Sequence, residues 1–161
     1  GTGGGDLFGG EPLPPVSEHA SLTYNNSGRM LVFKLGGQVE LAAPNRRDRS
    51  IPEQEVAELD DAVIARGELH YNEYCAVCHG IVVRSGGAIA DLRRMNDATH
   101  QVFNEIVIDG IYGSKGMAGF SDVLTAPQAA DIHQFVRARA HEDREVSLGN
   151  KKPELAQLTW Q

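Results

Sequence analysis

Apolar residues recur at spacings of three and four along one stretch of the chain: Val56, Leu59, Val63, Gly67, Tyr71 and Tyr74. That interval keeps side chains on one face and predicts a helix. Its start has two readings. Ser50 and Glu53 form the S-x-x-E of a capping box with Pro52 in the first turn, which gives one long helix. Alternatively a short turn comes first and Asp60 caps the helix. Gly67 inside the pattern costs about 1 kcal/mol against alanine, so close packing by another helix is the expected compensation. A second stripe, Val102, Phe103, Ile106 and Val107, predicts a helix over Ala98–Asp109 that stops at Gly110. A third, Ala129, Ile132, Phe135 and Val136, follows Thr125-Ala126-Pro127-Gln128, another capping box with proline near its start. Arg137 and Arg139 suit the C-terminal end of that helix, where cations complement the dipole. Gly80–Ala90 and the glycine-rich Gly113–Phe120 read as loops.

Upstream the pattern shortens. Glycine and proline dominate residues 1–19 and hold neither helix nor long strand. Ser21–Tyr24 is a short strand candidate and Asn25-Asn26-Ser27-Gly28 is turn chemistry. Arg29–Leu35 reads as a strand, and Gly36-Gly37 suits a tight hairpin into Gln38–Leu41. Leu31, Phe33 and Leu35 share one face, but Met30 and Val32 make the other face apolar too. Such a strand needs cover on both sides, and an isolated hairpin is marginal in water. The cover is expected from polypeptide outside this sequence. Residues 42–51, with Pro44 and the basic Arg46, Arg47 and Arg49, read as an exposed linker whose charges are solvated. The expected organisation is a β segment over 1–43, a linker over 44–57, a helical domain over 58–141 and a polar tail over 142–161. The fold class is mainly α.

Cys75-Ala76-Val77-Cys78-His79 supplies the chemistry. C-x-x-C-H is the attachment signature of c-type haem. The two thiols add across the porphyrin vinyl groups, and the following histidine is placed to reach the iron. A structural zinc site needs four ligands, and no second cysteine pair or H-x3-5-H follows. A dithiol redox motif belongs near a βαβ pattern, whereas this one ends a helical run. These are the chain's two cysteines, so none remains for a disulfide.

Composition sharpens the picture in three places. Aromatic residues make up only 6% of 161 residues, and a haem would supply the missing apolar bulk. The net charge of −7 argues against nucleic acid or anionic membrane as a general partner. No apolar run approaches the roughly twenty residues that span a bilayer. The chain does not open on methionine, as expected of a processed or shortened product, and covalent haem attachment places it in the periplasm.

Haem iron held by His and Met is an electron-transfer arrangement in which methionine raises the potential. Met30 sits in the apparent strand and reads as core. Met95 reads as core or haem packing. Met117, in a glycine-rich loop just before the last helix, is the favoured soft ligand opposite His79. His100 is the alternative among the scattered histidines. Arg93 or Arg94 could pair with a haem propionate or equally be solvated. Asp60-Asp61 and Glu142-Asp143 read as helix-end and tail charges, and no nucleophile–base pair stands out.

A helix ending in C-x-x-C-H, a middle helix, a methionine loop and a closing helix together resemble the class I cytochrome c fold. Gly67, Tyr71 and Phe135 look like that family's crossing of first and last helices. Ala90 departs from it, standing where a proline commonly supports the histidine. The run Gly28–Gly37, joined through a proline-containing linker to such a domain, resembles the C-terminal region of PQQ-dependent quinohaemoprotein alcohol dehydrogenases. Cys78-His79-Gly80, Ser85-Gly86-Gly87 and Asp91-Leu92-Arg93 resemble that family's haem domain. The resemblance implies a propeller holding PQQ and calcium, neither of which has ligands in this chain, and one covalent haem c here. It further implies electron transfer from the propeller, in the same precursor or a separate chain, to a periplasmic acceptor such as a small copper protein, a cytochrome or a quinone. The chain alone is then an electron-transfer module without catalytic groups. A free-standing soluble cytochrome shuttle and a haem sensor with an open iron site are the competing readings.

Overall fold

The computed structural model describes residues 32–40, 50–53, 60–85 and 89–151. Among the described residues the protein is mainly helical, with α1 over Asp61–Tyr74, α2 over Ala76–His79, α3 over Asp97–Gln101 and α4 over Ala126–Ser147. Asp60 caps α1: its backbone is extended and its carboxylate accepts the Ala62 N–H at 2.8 Å. The helix therefore takes the second of its two possible starts. Ser50 and Glu53 do other work. The Ser50 carbonyl accepts from Arg94 Nε at 3.3 Å, and Glu53 pairs with Arg144 of α4 at 3.4 Å.

α1 crosses α4 at Gly67. A Cβ there would come within 2.1 Å of the Asp131 carbonyl oxygen, so the absent side chain is what lets the two backbones meet. One turn on, Tyr71 packs its ring 5.3 Å from that of Phe135. Tyr71, Ile132 and Val136 are fully buried and form the centre of a core that Val83, Phe103 and Leu124 complete. Thr125 and Gln128 make the reciprocal capping box expected at the head of α4.

Two elements differ from the sequence pattern. The middle stripe is buried at Phe103, Ile106 and Val107, yet it is not one regular helix. α3 ends at Gln101, and Glu105–Asp109 form a wide turn in which the Gly110 N–H reaches the Glu105 carbonyl. Gly110 closes it with φ +68°, a left-handed conformation that glycine adopts freely. Extra-wide turns of this kind often mark functional regions. α4, conversely, runs past Arg139 to Ser147, and its buried face continues through Ala140 to Asp143. Asp143, read from sequence as a tail charge, is only 6% exposed. Its burial is set by arginine partners that an apolar pattern cannot reveal.

Near the N-terminus, Gly37 donates its N–H to the Lys34 carbonyl at 3.0 Å across a turn centred on Leu35 and Gly36, the latter at φ +76°, one residue earlier than the Gly-Gly hairpin expected from sequence. Val32, Phe33, Leu35 and Val39 around this turn are 83–100% exposed. Residues 32–40 form no strand ladder with other described residues. The remainder of the expected β segment, Met30, the basic linker and the tail beyond residue 151 lie outside the described residues.

Candidate haem site

α1 delivers the chain to the motif. Cys75 takes helical backbone angles and donates to the Tyr71 carbonyl at 2.8 Å; the Cys78 and His79 N–H groups then return to the Cys75 carbonyl at 3.1 and 2.9 Å. One turn thus carries both thiols with His79 immediately behind them. Both cysteines are free thiols, Cys75 buried and Cys78 exposed. Burial pushes the Cys75 thiol up to about 11, so it stays protonated at neutral pH.

His79 is buried, and its Nδ1 lies 2.9 Å from the Ala90 carbonyl oxygen. A carbonyl only accepts, so Nδ1 carries a proton, and Nε2 is the ring nitrogen that can offer a lone pair. No other described residue bonds to Nε2. An imidazole oriented through Nδ1 behind two thiols on one helical turn is the donor set that covalent haem requires, and the residues present fit that group. The carbonyl contact is made although Ala90 lacks a proline ring. No cluster of three or more His, Cys, Asp or Glu suited to a metal ion occurs among the described residues.

The loop after His79 is tightly folded. Gly80 has φ +85°, and a Cβ there would approach the Arg84 carbonyl oxygen to 2.1 Å. Val82 and Val83 follow with φ 53° and 65°, left-handed angles that β-branched residues rarely take. Tyr71 Oη donates to the Gly80 carbonyl at 2.8 Å, and burial pushes its phenol well above the ordinary range. Arg84 grips Asp143 with Nε and Nη2 at 3.0 and 2.6 Å. Burial alone would raise the Asp143 carboxyl, but hydrogen bonds from Arg84 and Arg93 outweigh it and hold the group below the usual range. Arg93 donates to Asp143 from Nη1 and to Asp91 from Nε and Nη2. Two of its five N–H bonds remain uncommitted among the described residues.

Met117 is half-buried and packs against the core from its loop. The neck of that loop is a backbone contact: a Cβ on Gly110 would lie 2.8 Å from the Gly119 nitrogen. Met95 is buried within the core cluster, and Met30 lies outside the described residues. His100 is engaged elsewhere. Its Nδ1 sits 2.8 Å from His133 Nε2, and the His133 ring stacks on Phe103 at 4.3 Å. Sequence reasoning missed Asp143, Arg84 and His133. Asp143 continues the α4 stripe at helical spacing, but its partners Arg84 and Arg93 lie 59 and 50 residues away and no local pattern links them.

Residues 62–136 match the family described as cytochrome c oxidase, cbb3-type, subunit III. Quinohemoprotein alcohol dehydrogenase ADH IIB of Pseudomonas putida is 37% identical over 120 residues, 73% of this chain and 17% of that protein. The dehydrogenase subunit of the alcohol dehydrogenase (quinone) of Acetobacter aceti is 32% identical over 138 residues, 85% of this chain and 18% of that one. The solved structure of quinohemoprotein alcohol dehydrogenase ADHIIG from Pseudomonas putida HK5 aligns with a TM-score of 0.60 at 39% identity, covering 67% of this chain and 16% of that one. The chain spans about a sixth of the length of these relatives. Joined to the helix crossing and the oriented histidine, these likenesses make the chain a homologue of the C-terminal cytochrome c domain of quinohemoprotein alcohol dehydrogenases.

Proposed function

We propose that the chain is the one-electron module of a PQQ-dependent quinohaemoprotein alcohol dehydrogenase, with one covalently bound haem c. The observation that carries this reading is His79, buried, with Nδ1 held by the Ala90 carbonyl and Nε2 left as a donor behind Cys75 and Cys78. Bound there, haem supplies reversible one-electron oxidation and reduction. Cys75 and Cys78 would hold it covalently through their sulfurs, and His79 Nε2 and the Met117 sulfur would ligate its iron. Arg93 offers its two uncommitted N–H bonds to a propionate.

The module relays single electrons from an alcohol-oxidising propeller, which keeps PQQ and calcium, to an external periplasmic acceptor such as a small copper protein, cytochrome or quinone. Residues 1–43 are assigned to the propeller side and 44–57 to the linker, and the cytochrome domain runs from 58 to the end of α4 at Ser147, six residues beyond the boundary expected from sequence. The nearly full exposure of Val32, Phe33, Leu35 and Val39 favours this reading over a free-standing shuttle, because such a strip is expected to lie against a partner. Among the described residues no helix is long and apolar enough to cross a membrane.

The first test is chemical. Haem should remain with the chain through acidified organic solvent and denaturing electrophoresis, and free extraction would sink the reading. The second mixes the chain with a PQQ-loaded propeller lacking residues 1–43 and follows haem absorbance after alcohol addition. Reduction that needs both pieces supports the relay. Alcohol-driven reduction of the isolated chain refutes it.

A further inference from the structure

The loop that leaves His79 returns twice to one buried carboxylate. Asp143 on α4 receives Arg84 Nε and Nη2 at 3.0 and 2.6 Å and Arg93 Nη1 at 2.7 Å. Arg93 also grips Asp91 through Nε and Nη2 at 2.9 and 2.6 Å. Asp91 directly follows Ala90, whose carbonyl takes the Nδ1 proton of His79. A continuous chain of charge-assisted bonds therefore runs from α4 to the residue beside that acceptor. Between the two arginines, Ser85 Oγ donates to the Ile89 carbonyl at 2.6 Å and draws the limbs of the loop together.

Stability alone is a weak reason for this arrangement. Removing carboxylates and guanidiniums from water costs several kcal/mol per ion, and apolar side chains of similar volume commonly do as well. What paired forks supply is a fixed angle as well as a fixed distance. The same loop holds Val82 and Val83 in left-handed conformations, which persist only where the surroundings over-determine the backbone. Ala90 has no side-chain anchor and no ring to restrict it, so its carbonyl points where its neighbours set it.

We propose that Asp143 is a positioning residue for His79. Acting through Arg93 and Asp91, it fixes the Ala90 carbonyl that holds the Nδ1 proton, while Arg84 fixes the opposite limb of the loop. The inference rests on His79 being the haem ligand. The partner of the distal ring nitrogen sets the orientation and basicity of a ligating imidazole, so Asp143 tunes the ligand without touching it.

The test follows solvent exchange of the His79 Nδ1 proton by NMR in the full-length, haem-loaded, reduced chain. Asp143→Asn and Arg93→Gln should each speed that exchange roughly tenfold or more, the scale typical of outer-shell losses. A charge effect would push the two variants in opposite directions, since one removes an anion and the other a cation; positioning moves both the same way. Adding Ala90→Pro to Asp143→Asn should restore slow exchange, because proline fixes the local backbone and the Ala90 N–H donates to no described residue. If Asp143→Asn does not fold, Arg93→Gln carries the test, since it leaves the Arg84–Asp143 pair intact. Exchange within about twofold of the parent in the folded variants, whatever their melting temperatures, overturns the proposal, given that outer-shell losses run larger. Failure of the underlying reading is separately visible: His79→Ala would then leave the haem ligation spectrum of the parent unchanged.

Discussion

The loop after His79 and the loop carrying Met117 are held by different forces. Residues 80–85 and 89–95 are fixed by side chains: Tyr71 on the Gly80 carbonyl, Arg84 and Arg93 on Asp143, and Val83 and Met95 in the core. Residues 110–119 are fixed by backbone. Gly113 bonds to the Gly110 carbonyl at 2.8 Å, Lys115 and Met117 both return to the Tyr112 carbonyl, and Phe120 reaches the Val107 carbonyl at 2.8 Å. Most side chains of this second loop are exposed. A loop whose bonds are local turns can open without uncovering buried charge, whereas the first cannot. The contrast suits the proposed ligand pair, with His79 on the firmly held loop and Met117 on the one that opens more easily.

The sharpest way to break this comparison is to remove one side chain from each loop's support. Asp143→Ala leaves the part-buried Arg84 without its carboxylate and takes one of the two that hold Arg93, and should cost about 3–5 kcal/mol, the usual penalty for breaking a buried pair. Met117→Ala removes a half-buried side chain and should cost roughly 1–2 kcal/mol, below the range for fully buried methionine. Urea unfolding of the haem-loaded chain, with excess imidazole equalising the iron ligands, measures both. Met117→Ala should also abolish the near-infrared thioether band and lower the potential, in line with methionine ligation. If Met95→Ala does so while Met117→Ala does not, the ligand assignment is wrong. Equal stability costs would erase the distinction between the loops.

The same contrast explains what was legible in the sequence. The Cys75–His79 turn, the Gly67 crossing and the Thr125 cap are local or periodic, and spacing alone exposes them. Asp143 was misread because its burial depends on Arg84 and Arg93, far away in sequence. The middle helix was read as regular because Phe103, Ile106 and Val107 keep a helical interval even across the wide turn at Glu105–Asp109. The N-terminal strand was argued from its two apolar faces, and exposure of Val32 and Phe33 restates that puzzle without supplying the partner.

A finer break lies within the methionine loop. Gly110 and Gly116 both have left-handed φ, +68° and +89°, but only Gly110 is crowded, its added Cβ falling 2.9 Å from Gly119 Cα. Gly116→Ala should therefore cost only the conformational term, about 1 kcal/mol. Gly110→Ala adds an overpacking term of about 1–3 kcal/mol and pries open the neck. The midpoint of alkaline loss of the thioether band should fall further in Gly110→Ala than in Gly116→Ala. Identical midpoints would mean that the Gly110–Gly119 contact does not hold the loop.

The smallest effect is set by acid. His100 and His133 join α3 to α4, and burial pushes His133 down to about 4, with His100 and Arg137 adding to the shift. Burial and Arg137 likewise lower His100, against a smaller opposing pull from Asp97. Unfolding returns His133 toward 6.5, so between those values the unfolded chain binds more protons and stability drops as the pH is lowered. Asp143 behaves differently: its folded carboxyl sits below 3.8, so the stability it contributes persists until the pH falls below that value. Acid should therefore loosen the methionine side first, with the thioether band fading between pH 6.5 and about 4 while His79 ligation holds. His133→Gln should flatten that slope, since a neutral amide has no proton to gain. Simultaneous loss of the thioether band and of His79 ligation, near or below pH 3.8 and unchanged in His133→Gln, would show that both loops fail as one unit.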